Sequence, residues 1–84
     1  MVASRVRCTL KRVALLRFIL RKGNRVTYSD LDEIIGKIVK SKVSLYETIR
    51  RNMKMGFIAI NEYGEIYVTE RGIEYLNKCK ERGM

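Results

Sequence analysis

The chain has 84 residues, 46% of them apolar, with 18 Lys or Arg against 9 Asp or Glu and a net charge of +9. That length makes one small domain over residues 1–84, and the apolar content is too high for a disordered chain. With no His, no phosphate-cradling glycine loop, and two Cys that fit neither a metal motif nor a CxxC pair, the composition argues against an enzyme and indicates no cofactor and no metal.

Thr9 to Lys22 predicts the first helix. Its apolar residues (Leu10, Val13, Ala14, Leu15, Leu16, Phe18, Ile19, Leu20) cover most of the circumference and leave a polar wedge at Arg17 and Arg21. A surface helix needs one apolar stripe, so this one is expected to have a second partner besides its own core. Gly23-Asn24 ends it. Val26 to Tyr28 is an extended piece, and Ser29-Asp30-Leu31-Asp32 then offers an N-cap with an acid three residues on. Leu31, Ile34, Ile35 and Ile38 form the stripe of a second helix. Asp30, Asp32 and Glu33 in its first turn complement the helix dipole, and no His or further ligand accompanies them. Gly36 ends this helix or sits inside it.

Ser44-Leu45-Tyr46-Glu47 has the S-x-x-E form of a capping box and predicts a third helix over residues 44–55, stopped by Gly56. Tyr46, Ile49, Met53 and Phe57 fall on one face; Ser44, Thr48, Arg51 and Met55 fall on the other, with Lys54 on its flank. Ile58-Ala59-Ile60 and Ile66-Tyr67-Val68 alternate with period two, which predicts two strands with Ile58, Ile60, Ile66 and Val68 pointing one way. Asn61-Glu62-Tyr63-Gly64 between them suits a type I turn with a glycine bulge. Two strands alone are barely stable, so the hairpin must lie on the helices. Thr69 caps a last helix, residues 69–84, whose apolar arc is Ile73, Tyr75, Leu76 and Cys79.

In this order the elements resemble a winged helix-turn-helix domain: an α+β fold with a three-helix core, a short β-hairpin wing and a C-terminal helix. "NMKMGFI" followed by "YVTERGIEYL" carries the likeness. Regulators of the MarR-like, ArsR-like and related archaeal groups end a helix with "L-x-x-x-G-L-I" and later show "L-T-x-x-G". Met53, Gly56, Phe57 and Ile58 take the first set of places, and Val68, Thr69 and Gly72 the second. The resemblance spans about residues 9 to 80 and implies a transcription regulator that lays helix 44–55 in the DNA major groove. It implies Ser44 and Thr48 as polar contacts near the helix start, and Arg51 one turn on, at a base or phosphate, with Lys54 on the flank. Lys40 and Lys42 in the preceding turn suit phosphates. On the wing, where Glu62 and Glu65 flank it, Tyr63 is the side chain placed to reach a backbone.

The charge distribution agrees with a polyanionic partner. Residues 1–28 hold eight Arg or Lys and no acid, residues 29–56 six bases and four acids, and residues 57–84 four bases and five acids. Residues 1–8 read as a basic N-terminal arm. A lopsided field favours phosphate neutralisation and counterion release, although a solubility surface or a face for an acidic protein or anionic lipid has the same composition. No signal peptide is visible, and Arg12 and Arg17 cut the apolar stretch well short of the ~20 residues of a membrane span, so a cytoplasmic location is expected. In an ordinary cytosol Cys8 and Cys79 would be free thiols. The lack of Gln, Pro and His, the nine Ile and the dense charge instead resemble a thermophile's composition. Intracellular disulfides occur in such cells, which leaves open a Cys8–Cys79 bridge within or between chains. The double-sided apolar pattern of the first helix further suggests a homodimer through that helix and the last one. The alternative to a double-stranded DNA binder is a winged-helix protein-interaction module, a small subunit of a larger complex.

Overall fold

The computed structural model describes residues 7–83, so the arm expected over residues 1–8 lies outside it except for Arg7 and Cys8. In chain order the elements are α1 (Leu10–Arg21), α2 (Tyr28–Leu31) running into a 3-10 turn (Asp32–Ile34), α3 (Lys42–Lys54), β1 (Ile58–Ile60), β2 (Ile66–Val68) and α4 (Glu70–Glu81). This is a small α+β domain of four α-helices and a two-stranded antiparallel hairpin.

The hydroxyl of Thr9 caps α1 by accepting from the Arg12 N–H at 3.3 Å. Val13, Leu15, Leu16, Phe18 and Ile19 are buried. The second partner expected for this helix belongs to the same chain, since α1 packs on both β2 and α4. Its broad apolar arc therefore feeds one core, and the exception is Leu10, 76% exposed. The homodimer expected from that arc loses the reason given for it. Asn24 turns the chain at φ 60°, a left-handed conformation that Asn tolerates. Its side chain then pairs with β2 as a strand would, accepting from the Val68 N–H at 2.7 Å and donating to the Val68 carbonyl at 3.2 Å. Val26 and Ile66 exchange both backbone hydrogen bonds, at 3.0 and 2.7 Å. This pairing stitches the hairpin to the segment after α1.

Two helix starts differ from the sequence expectation. Thr27, not Ser29, caps α2: its hydroxyl accepts from the Asp30 N–H at 3.2 Å while the Asp30 carboxylate accepts from the Thr27 N–H at 2.9 Å. The pairing of Val26 holds the chain extended up to that point, and the helix begins immediately after it. Gly36 lies beyond the 3-10 turn, where its N–H donates to the Val39 carbonyl. Ser41, not Ser44, caps α3, its Oγ accepting from the Ser44 N–H at 3.2 Å. Ser44 is thus the third residue of the helix, and Ser44 with Glu47 makes no capping box. Val39, 2% exposed, is drawn into the core and delivers the chain to Ser41. Leu45, Thr48, Ile49 and Asn52 then face inward.

Among the described residues Asn52 is the most deeply buried polar side chain, 2% exposed, and both ends of its amide are satisfied. It donates to the Thr48 carbonyl at 2.8 Å and accepts from Arg12 Nε at 2.9 Å. The Arg12 guanidinium lies 5.3 Å from the Phe57 ring centre and 5.7 Å from that of Tyr75. A charge-assisted hydrogen bond and two cation–π contacts therefore join α1, α3 and α4. The Tyr75 hydroxyl extends the network, accepting from the Thr9 N–H at 3.1 Å and donating to the Arg7 carbonyl at 2.9 Å.

The hairpin pairs Ile58 with Val68, Ala59 with Tyr67 and Ile60 with Ile66. Gly64 takes the left-handed place of the turn at φ 77°, where glycine has no steric cost. Asn61 Oδ1 accepts from the N–H groups of Tyr63 and Glu65 at 2.8 and 3.0 Å, closing the loop locally. Ile58, Ile66 and Val68 are buried, whereas Ile60 at the turn end of β1 is 43% exposed. Thr69 starts α4 and also clamps it to the end of α3: its hydroxyl accepts from the Gly72 N–H and donates to the Gly56 carbonyl. Gly72 packs so closely that a Cβ there would collide with the Phe57 carbonyl oxygen and a Val68 methyl. Tyr75, Leu76 and Cys79 are buried and Ile73 is 40% exposed. Cys8 and Cys79, 71 residues apart in the chain, form a disulfide within the chain with Cα atoms 5.6 Å apart.

Candidate nucleic-acid interface

α3 sets the geometry of an exposed basic surface. At 100° per residue, turning Leu45, Ile49 and Asn52 inward places Val43, Glu47, Arg50 and Lys54 along one outward line. All four are exposed. Arg51 lies on one flank of the line, on the side of Ser44, and Tyr46 on the other. Glu47, Arg50, Arg51 and Lys54 together line a surface depression. Arg51 and Lys54 also complete the last turn of the helix, where cations complement the macrodipole.

At the start of the helix, Lys42 is its first residue, with Nζ 3.8 Å from Asp32 Oδ1 and both side chains about half exposed. Such a pair is weak and leaves the ammonium available. Lys40 is exposed in the connection before it. Beside them the ring of Tyr46 meets that of Tyr28 edge-on, with centroids 5.5 Å apart and an interplanar angle of 77°.

Of the residues singled out from the sequence, Lys40, Lys42, Arg51 and Lys54 are exposed on or beside α3. Ser44 is half-buried and its N–H is engaged by the Ser41 cap. Thr48 does not belong to the surface. It is 8% exposed, on the side of the helix where Leu45, Ile49 and Asn52 are buried, and its carbonyl receives the Asn52 amide. Tyr63 stands 78% exposed at the tip of the hairpin. There the Glu65 carboxylate accepts from the Asn61 side chain at 3.0 Å and sits 3.8 Å from Arg25 Nε.

Arg50, Val43 and Tyr46 were not among the contacts assigned from the sequence, and Tyr46 had been placed inward; it is 44% exposed. A start at Ser41 would have put Val43 in the helix, and taking Leu45 with Ile49 as the inward pair, four residues apart, would have turned Arg50 and Tyr46 outward. Among the described residues no three His, Cys, Asp or Glu side chains are grouped to hold a metal ion. No described helix is long and apolar enough to cross a membrane. Comparison of the chain with protein-family models, curated proteins and solved structures finds no match.

Proposed function

We propose that the chain is a winged helix-turn-helix protein that binds double-stranded DNA sequence-selectively, as a transcription regulator does, with α3 in the major groove. The observation that carries this reading is the outward line of α3. It offers Arg50 at the centre of an exposed face, with Arg51 and Lys54 beside it and Lys40 and Lys42 at the helix entrance. An α-helix fits the width of the major groove, where a central Arg bonds guanine O6 and N7 through its fork. Flanking Lys and Arg bond phosphates and hold the register. The hairpin adds little charge of its own favour, because Glu62 and Glu65 surround Tyr63, so Tyr63 is the wing residue that reaches the sugar-phosphate backbone. A pair of chains on two half-sites would set two copies of α3 roughly 34 Å apart. Since the apolar arc of α1 is absorbed by the chain's own core, the number of chains per site is left to measurement.

The experiment is selection of bound duplexes from a random DNA pool, followed by titration of an enriched duplex across salt concentrations. Enrichment of a common sequence with affinity that falls as salt rises is the expected result. Absence of both enrichment and salt-dependent binding refutes the proposal, and stable co-purification of another protein would then favour the interaction-module alternative.

A further inference from the structure

Seven large apolar side chains are exposed among the described residues, and three of them (Tyr28, Val43 and Tyr46) gather at the start of α3. Tyr28 and Tyr46 are in ring contact, and Val43 lies one turn before Tyr46 on the same helix. Val43 is the most exposed of the three at 67%. Local structure gives no reason for it, since a β-branched residue is a poor helix former and nothing covers this one. Lys42 precedes it and Lys40 lies in the connection, while along the same outward line Glu47 follows one turn on and Arg50 two turns on.

An exposed apolar side chain next to Lys40 and Lys42, on a face that also carries Arg50, suits a polyanion that also presents an apolar group. In the major groove of DNA that group is the thymine C5-methyl. We infer that Val43 is a specificity-determining residue that packs on the methyl group of one thymine in the bound duplex, with Tyr46 and its partner Tyr28 walling that side of the contact. Val43 holds one preferred rotamer in a helix, so little freedom is lost on docking. The inference rests on the DNA-binding reading and goes beyond it by naming a base and the side chain that reads it.

Replacing each thymine of the selected duplex, one at a time, by deoxyuridine removes the methyl and nothing else. The intact chain should lose about four-fold in affinity at one thymine, the factor that accompanies desolvation of a single methyl group, and be indifferent at the others. Val43→Ala should bind the thymine duplex about four-fold more weakly and no longer distinguish thymine from uracil at that position. Val43→Thr, which keeps the branched shape and one methyl, should fall between, and thermal melting should confirm that both variants fold. A selected site without thymine, a duplex insensitive at every thymine, or a Val43→Ala variant that still prefers thymine would each overturn the inference while leaving DNA binding intact. Absence of DNA binding by the intact chain would remove both.

Discussion

The α3 surface makes a quantitative claim about salt. Lys40, Lys42 and Arg51 flank the outward line, Lys54 ends it, and Arg50 stands at its centre. If those four meet phosphates and Arg50 meets a base, each phosphate contact contributes about −0.9 to the slope of log affinity against log salt, or about −3.6 per chain. Raising salt from about 50 to about 200 mM should then cost roughly two decades of affinity. Lys42→Ala should move the slope to about −2.7 on preferred and scrambled duplexes alike. Its ion pair with Asp32 is long and half exposed, at 3.8 Å, so folding should be unaffected. Arg50→Ala should behave differently. It should lose about 1–3 kcal/mol on the preferred duplex, keep the parental slope and lose discrimination at one base pair. Fluorescence anisotropy on the two duplexes at four salt concentrations measures both quantities. A slope near −7 per complex would report two chains bound, at about twice the single-chain value. Equal changes of slope from the two variants, or no change of binding from either in a folded protein, would refute this assignment of roles.

Ser41→Ala should destabilise the domain by ~1 kcal/mol through the lost cap, a fall in Tm of about 4–8 °C, while Ser44→Ala should stay within ~0.5 kcal/mol. Thermal melts followed by circular dichroism compare the two directly, and equal effects would restore the cap to Ser44. Gly72→Ala should cost at least ~1–3 kcal/mol in urea unfolding, because its Cβ has to displace the Phe57 backbone or the Val68 side chain. Cys8→Ser should lower stability by ~2–4 kcal/mol through release of a chain tied across 71 residues. Two freely alkylated thiols in the native protein would show that the bridge is not formed.

Much of the architecture was legible in the sequence because its signals are local. The span of α1, both strands, the Asn61–Gly64 turn and the Thr69 cap each depend on a few consecutive residues, and the structure has them where the sequence predicts. The starts of α2 and α3 were not legible. Thr27 and Ser29 are comparable caps in isolation, and so are Ser41 and Ser44, the latter even carrying Glu47 three residues on. Tertiary contacts chose between them: Val26 pairs with Ile66, and Val39 is buried before Ser41. Thr48 is polar and reads as outward, yet it lies beside the buried Leu45–Ile49–Asn52 stripe, where Asn52 meets Arg12 from forty residues away. Burial of that stripe turns Thr48 in and leaves Arg50 facing out. The apolar excess of α1 was plain in the sequence, but whether a second chain or the same chain covers it is a question of packing, and β2 and α4 cover it here. A short sequence window reports what its residues can pair with nearby. Which face of a helix is buried is decided by partners brought together only when the chain closes.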